Sequence, residues 1–124
     1  MGRIVTQDLN DSESGTGAMF GGEVRGQNLV AEGDAPSQRV TAVTFLNGAQ
    51  NVWQWHSTEQ VLVVTDGEGI IADASGERRI RPGDVVLIQA NERHWHGAAP
   101  GNSVTHLSIL LPGTMTIDES NHQD

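Results

Sequence analysis

The sequence contains no cysteine and no lysine, and only five of its residues are aromatic. Without cysteine, the chain has no disulfide, no thiolate nucleophile and no thiolate metal ligand. Seven arginines stand against 16 acidic residues, which gives a formal net charge of -9. Surfaces that bind nucleic acid or anionic membranes need the opposite balance, so the composition argues against both partners. No membrane-length apolar run and no signal-peptide core are present, and we expect a soluble, cytoplasmic protein.

Turn-forming residues are abundant and regularly spaced. Fifteen glycines and four prolines occur in 124 residues, a length that fits one compact domain. Between the turns lie short segments that alternate in polarity or are rich in β-branched residues, which is typical of strands. The clearest are residues 39–46, 60–65, 85–90 and 103–111. The pattern predicts an all-β fold of roughly eight or nine strands, a sandwich or barrel with few or no helices.

The sequence indicates one folded domain between two polar ends. Residues 1–17 finish in the polar run NDSESGTG, and we expect them to form a flexible N-terminal arm. Residues 18–113 are expected to form the barrel, with a first strand near residues 18–25 and a connecting loop at 31–38. Residues 114–124 are expected to form a polar C-terminal tail.

A first short motif, WQWHSTEQ, places histidine among tryptophans and begins at Trp53. Side chains two or four residues apart share one face of a strand. Gln54, His56 and Gln60 are therefore expected on the same face. Glu59 would point the opposite way, which makes it a poorer ligand candidate despite its charge.

A second motif, RHWHGA at residues 93–98, holds two more histidines. By the same alternation, His94 and His96 share a face. On the last predicted strand, His106 lies on a face with Ser108. Only the fifth histidine, His122, falls in the polar tail. Four of the five histidines are thus expected in or beside strands.

The spacing within and around these motifs resembles the two conserved motifs of the cupin family. The first motif of that family asks for Gly, His-x-His, Glu or Gln, and Gly, and the matching positions are Gly48, Gln54, His56, Gln60 and Gly67. The second asks for Gly, Pro, Gly, His and Asn, and the matching positions are Gly83, Gln89, Asn91, His94 and Ala98. The phrases QVLVVTDGEG, RPGDVVLI and HWHGAAP are similar to small single-domain cupins. These include bacterial manganese-dependent hydroxynitrile lyases and carboxymuconolactone decarboxylase-like cupins. The resemblance runs from about Val40 to Leu111.

The resemblance implies a jelly-roll barrel that binds one divalent metal ion. Its ligands, carried over by position, would be Gln54, His56, Gln60 and His94. Mn or Fe would be the expected ion, with Ni, Co and Zn as alternatives. The departure lies at Gln54, which stands where the family has histidine, so we expect weaker metal binding. Gln54 is either a ligand or a hydrogen-bond anchor for a substrate.

Two histidines remain outside this ligand set. His106 and His96 face the expected cavity, and either one is a catalytic base, a substrate clamp or a neutral structural histidine. For His106 the structural alternative is a hydrogen bond to Thr105, Ser108 or a backbone carbonyl. Its separate strand and its lack of ligand spacing favour the role of base.

Three functions are compatible with these residues. The first is a small-molecule enzyme that uses the metal as a Lewis acid and a histidine as base, in a reaction like that of the hydroxynitrile lyases. The second is an Fe-dependent dioxygenase, which two histidines would support poorly. The third is a non-catalytic module that binds a small ligand, which the loss of a histidine at Gln54 favours. Small cupins also pair through a sheet, so we expect a homodimer.

Overall fold

The computed structural model describes residues 2–15 and 20–118, without the side chain of Phe20. These residues form thirteen short strands and one 3₁₀ helix, Leu9–Asp11, and contain no α-helix. The strands are β1 (Glu13–Ser14), β2 (Phe20–Gly21), β3 (Val24–Val30), β4 (Arg39–Phe45), β5 (Gln50–Asn51), β6 (Gln54–His56), β7 (Gln60–Gly67), β8 (Gly69–Asp73), β9 (Gly76–Ile80), β10 (Val85–Ile88), β11 (Trp95–Ala98), β12 (Val104–Leu110) and β13 (Met115–Ile117). No described segment is a helix of the length and apolarity needed to traverse a bilayer. The all-β prediction is confirmed.

Two antiparallel sheets carry most of the strands and pack face to face. One has the order β1-β3-β4-β12-β7-β10, the other β2-β5-β11-β8-β9, and β13 pairs with β6 alone. The alternation within β7 and β12 turns every second side chain inward, as the burial of Leu62 and Val64 shows. The buried apolar cluster draws on both sheets: Val24, Phe45, Ala49, Leu62, Val64, Ile71, Ile80, Ile88, Ala98 and Val104.

The N-terminal residues lie against strand β3 through side-chain hydrogen bonds. The Arg3 guanidinium donates to both carboxylate oxygens of Asp34, at 3.1 and 3.0 Å. The backbone N–H of Asp8 donates to Gln27 Oε1 at 2.8 Å. The sequence predicts a flexible arm here because the segment is polar. Polar side chains join residues 3–14 to the edge of the six-stranded sheet, where β1 pairs with β3.

The first residues of the predicted polar tail contain a short strand. Residues 115–117 form β13, which pairs with β6 so that Met115 lies opposite His56 and Ile117 opposite Gln54. Main-chain pairing needs no apolar side chains, so hydrophobicity gave no signal for this strand. Residues 119–124, which include His122, and residues 18 and 19 of the predicted first strand lie outside the described residues.

The motif glycines occupy turns that need a left-handed backbone. Gly48, Gly67 and Gly83 have φ values of 78°, 79° and 96°. A Cβ on Gly67 would also lie 1.9 Å from the backbone oxygen of Ser103, so no side chain fits there. Asn91, at the position of the second motif's inner glycine, has a φ of 65°. Asparagine tolerates this conformation better than most residues, which preserves the turn before His94.

Candidate active site

A direct backbone bridge joins the two histidine motifs. The N–H of Gln54 donates to the carbonyl of His94 at 2.9 Å, and the N–H of His94 donates back to the carbonyl of Gln54 at 2.9 Å. This bridge sets His94 beside strand β6, which carries His56. The sequence predicts that Gln54, His56 and Gln60 share a face, and all three side chains line one cavity. Glu59 is exposed, as predicted.

Four histidine rings form a continuous row across the interior. The ring centroids of His56 and His94 lie 5.8 Å apart, and those of His94 and His96 lie 5.7 Å apart and nearly parallel. His106, from the opposite sheet, meets His96 edge to face at 5.0 Å. The row therefore spans the space between the two sheets. Three of the rings, those of His94, His96 and His106, are almost completely buried.

Besides the two ring nitrogens of His106, three buried atoms near this row have no hydrogen-bond partner: His56 Nε2, His94 Nε2 and Gln60 Oε1. The Nδ1 atom of His94 lies 2.8 Å from the carbonyl oxygen of Glu92, to which it must donate. The proton of neutral His94 is therefore on Nδ1, and Nε2 carries a free lone pair. Unpartnered buried polar atoms are costly, and three lone pairs of this kind fit a cation.

The remaining predicted ligand, Gln54, is buried, and its amide already has one partner. Its Nε2 donates to the carbonyl of Val52 at 3.0 Å. Within residues 2–15 and 20–118, no group of three or more histidine, cysteine or acidic side chains is arranged to hold a metal ion. A metal site built from the predicted ligands has only two histidines. It would therefore need the amide oxygen of Gln60 as its third donor. The donor set is thus neutral and contains no carboxylate.

Asn51 fixes the position and the protonation of His96. The backbone N–H of His96 donates to Asn51 Oδ1 at 2.8 Å, which turns the amide nitrogen toward the ring. Asn51 Nδ2 lies 3.2 Å from His96 Nε2 and 3.5 Å from Nδ1. Because an amide nitrogen only donates, the ring nitrogen that it contacts must supply the lone pair. The single lone pair of neutral His96 is therefore engaged.

A glycine permits this contact between Asn51 and His96. A Cβ added to Gly97 would lie 2.5 Å from the Cα of Gln50 in the neighbouring strand β5. Only glycine lets β5 approach β11 so closely. Sequence reasoning missed Asn51, because its role depends on strand pairing across 45 residues. Its position five residues before His56 gave no signal of its own.

His106 differs from His96 in that both of its ring nitrogens are buried without a partner. Neither Thr105 nor Ser108 forms a hydrogen bond with this ring, whereas the backbone of Leu107 lies close enough to oppose the fall in its pKa. The ring packs beside Phe45, with centroids 5.6 Å apart, and borders the cavity. Burial lowers the pKa of His106 to about 4. The ring is therefore neutral near pH 7 and has a free lone pair.

The other three histidines are also held neutral. Burial, with a smaller contribution from the nearby His94, lowers the pKa of His56 to about 4. Burial likewise lowers the pKa of His94, against the opposing hydrogen bond to Glu92. For His96, burial and then the neighbouring His106 ring keep the pKa well below its ordinary value. Desolvation disfavours the charged form wherever an ionisable ring leaves water. All four rings are thus uncharged near pH 7.

The cavity beside the row has a volume of about 490 Å³. Its apolar wall includes Val43, Phe45 and Leu110, and its polar wall is formed by neutral amides, hydroxyls and imidazoles. Glu13, which is exposed, is the one charged side chain among the described residues that line it. The chain has no lysine, and none of these lining residues is arginine. The interior therefore suits an uncharged molecule.

Residues 111–118 form one side of this cavity, which sequence reasoning did not anticipate. Leu111, Gly113, Thr114 and Met115 contribute to its lining. The segment is fastened at its end, where the Arg93 guanidinium lies 3.8 Å from the ring centroid of Trp53 and forms an ion pair with Asp118. Arg93 thus connects the second motif to this wall.

These features define a class of protein: a single-domain β-barrel with a histidine-lined interior cavity. A family model described as a cupin domain matches residues 41–112. The (R)-mandelonitrile lyase of Granulicella tundricola is 40% identical over 99 residues, 79% of this chain and 76% of that protein. A cupin-like protein from Thermotoga maritima superposes with a TM-score of 0.80 at 30% identity, covering 95% of this chain and 96% of that one.

A polyketide cyclase from Streptomyces resistomycificus has the same fold, with a TM-score of 0.79, 15% identity and coverage of 98% and 92% of the two chains. The chain belongs to the cupin family, and its fold is the jelly-roll barrel of that family. The resemblance on which the sequence analysis relied is confirmed.

Proposed function

We propose that the chain is a lyase that breaks and forms the bond between cyanide and a carbonyl carbon in small neutral cyanohydrins. The observation that carries this proposal is His106, a neutral buried base with two unpartnered nitrogens at the wall of the cavity. The named activity of the relative from Granulicella tundricola supports it, since that relative matches most of this chain. The reaction needs a base and a site for an oxygen that becomes negatively charged.

We also propose that His56 Nε2, His94 Nε2 and Gln60 Oε1 bind one divalent ion, with Gln54 as a weak fourth ligand. The three unpartnered atoms fit this role, and the hydrogen bond from His94 to Glu92 directs the free lone pair of His94 inward. Nitrogen and amide oxygen donors suit manganese or iron. When bound, such an ion would polarise the substrate oxygen as a Lewis acid.

The expected substrate is an uncharged cyanohydrin with an aromatic or branched apolar group. A volume of about 490 Å³ lies within the range of small-molecule sites. Phe45, Val43 and Leu110 offer an apolar surface to such a group. A carboxylate or phosphate would meet no cation from the side chains that line the cavity. Charged analogues are therefore expected to bind poorly.

His106 would act as the proton carrier. Its neutral ring takes the hydroxyl proton of the cyanohydrin. The carbon–carbon bond to the nitrile then breaks, and the electron pair of that bond leaves with cyanide. The protonated ring then returns the proton to cyanide, so the products are an aldehyde and hydrogen cyanide. A buried His106, whose pKa is lowered to about 4, gives up this proton readily. His96 is less suited to this role because Asn51 occupies its lone pair.

Turnover of mandelonitrile by protein loaded with Mn²⁺ tests this function, with release of benzaldehyde followed by absorbance. His106→Ala should lower kcat by about 10²-fold or more while Mn²⁺ content stays unchanged. His56→Ala should lose the metal and the activity together. A protein with one Mn²⁺ per chain that turns over neither mandelonitrile nor aliphatic cyanohydrins would refute the proposal.

A second candidate function is a small-ligand module without catalysis. The glutamine at position 54 favours it, because an amide that already donates to Val52 replaces a stronger imidazole ligand. Saturable binding of neutral aromatic aldehydes by metal-free protein, without turnover by any metal-loaded form, would support this function over the lyase.

We further propose that the protein is a homodimer that pairs through the outer face of the six-stranded sheet. Val85 and Leu87 on the edge strand β10 are 65% and 57% exposed. They lie in register with Val63 and Val61 of β7, which extends the apolar surface across two strands. An exposed apolar edge of this kind is normally covered. Light scattering should give the mass of a dimer for the wild type and the mass of a monomer for Leu87→Asp. A wild-type protein that is monomeric at micromolar concentration would contradict the proposal.

A further inference from the structure

We propose that Ser108 is a positioning residue that holds the Gln60 amide with its oxygen toward the metal position. This inference rests on the proposed metal site. Gln60 Nε2 donates to Ser108 Oγ at 2.8 Å, and both side chains are buried. The other end of the same amide, Oε1, has no hydrogen-bond partner. The hydrogen bond to Ser108 thus engages the NH₂ group of Gln60 and leaves its oxygen free.

Strand pairing brings the two side chains together. In the antiparallel pair of β7 and β12, Gln60 lies opposite Leu110, and Ser108 lies opposite Leu62. Gln60 and Ser108 are therefore diagonal neighbours on the inward face, a separation that a glutamine side chain spans. The serine comes from the same strand as His106, two residues further along the chain.

The amide of Gln60 needs a hydrogen-bond partner like Ser108 because its oxygen and its NH₂ group have nearly the same shape but opposite roles. The oxygen has lone pairs for a cation, whereas the NH₂ group can only donate. Rotation by half a turn would direct the NH₂ group at the free lone pairs of His56 and His94. Without metal, that orientation would give hydrogen-bond partners to the NH₂ group of Gln60 and to the free lone pairs of His56 and His94. The orientation that binds metal therefore requires a separate acceptor for the buried NH₂ group, and Ser108 Oγ is that acceptor.

Loss of the hydroxyl should penalise the orientation that binds metal. In Ser108→Ala, the NH₂ group would be buried without an acceptor whenever Oε1 faces the ion. Replacement of residues that orient metal ligands typically lowers metal affinity by about 10- to 100-fold. We expect the Kd for Mn²⁺ to rise by at least about tenfold. Ser108→Thr, which keeps the hydroxyl, should bind Mn²⁺ like the wild type.

Replacement of the amide by a carboxylate provides a matched control. Gln60→Glu has two oxygens and no NH₂ group, so its orientation no longer matters. In that background, Ser108→Ala should change the Kd for Mn²⁺ by less than about twofold, because no donor is left unpaired. The four proteins form a double-mutant cycle whose coupling reports the contact between Gln60 and Ser108.

The experiment is titration of Mn²⁺ into chelator-treated protein, with free Mn²⁺ measured by electron paramagnetic resonance. A rise in Kd for Ser108→Ala in the Gln60 background only, with recovery in Ser108→Thr, is the expected result. Equal Kd values for wild type and Ser108→Ala would overturn the inference while leaving the metal site intact. A rise of equal size in the Gln60→Glu background would also overturn it, since the amide would then be irrelevant. No Mn²⁺ binding by the wild type would overturn both this inference and the proposed metal site.

Discussion

Acidification should destabilise the metal-free protein through its neutral buried histidines, and His106 permits a direct test. Its pKa falls from an ordinary value of 6.5 to about 4 on folding, because burial excludes water from the ring. Below pH 6.5 the unfolded chain takes up a proton that the folded chain refuses. This stability is therefore complete above pH 6.5 and is lost progressively as the pH falls to about 4.

The size of the effect follows from the two pKa values. A difference of about 2.5 corresponds to roughly 3 kcal/mol when the loss is complete. At pH 5, about 2 kcal/mol of it should already be lost. The other three histidines add losses of the same sign, so the wild type should lose more than this. His106→Gln removes the share that belongs to His106 and also the smaller effect of its ring on the pKa of His96, so about 2 kcal/mol is a lower bound.

The assay is urea unfolding at pH 7.5 and pH 5.0, followed by tryptophan fluorescence at one protein concentration in the presence of chelator. The fall in the free energy of unfolding between the two pH values should be at least about 2 kcal/mol smaller for His106→Gln than for the wild type. Exposed carboxylates contribute equally to both proteins and cancel in this difference. The same fall in both proteins would show that His106 titrates normally in the fold, which would refute the reasoning.

Three further predictions concern the surroundings of the site. Gln54→His should lower the Kd for Mn²⁺ by about tenfold or more, measured by titration, because imidazole is a stronger donor than an amide; an unchanged Kd would place the ion elsewhere. Gly97→Ala should lower the free energy of unfolding by more than about 2 kcal/mol, since its Cβ would collide with β5. The control is Gly26→Ala, whose Cβ meets only a side-chain atom at 3.8 Å. It should lower the free energy of unfolding by less than about 1 kcal/mol. Arg93→Ala should cost about 1 kcal/mol and speed amide hydrogen exchange in β13, because it frees Asp118 from its ion pair; unchanged exchange there would contradict the role of Arg93.

The strands could be predicted from the sequence wherever side-chain burial produces a pattern. The predicted strand at residues 39–46 corresponds to β4 (Arg39–Phe45), and alternation placed His106 and Ser108 on one inward face. Strands held only by main-chain pairing left no such signal. β13 has three residues and β1 has two, which is too short for an alternation to stand out.

The site was partly predictable for a related reason. Motif spacing identified Gln54, His56, Gln60 and His94, because the spacing of ligands along strands follows from strand geometry. The partners of these residues come from other strands. Asn51 reaches His96 across 45 residues and Ser108 reaches Gln60 across 48, and neither separation has a local pattern. The sequence also left the choice between His96 and His106 open, since it depends on which ring nitrogen has a partner.

The wall formed by residues 111–118 contributes to the shape of the cavity but supplies none of the proposed catalytic groups. Its attachment relies on main-chain groups, such as the N–H of Ser57 donating to the carbonyl of Thr114 at 2.8 Å, and these bonds tolerate many side chains. The proposed metal donors and His106 all lie on other segments. Substitutions at Leu111, Thr114 or Met115 can therefore alter the shape of the cavity while the chemistry is left unchanged. If the proposed activity holds, this segment is where substitutions should change substrate preference while the proposed catalytic groups stay in place.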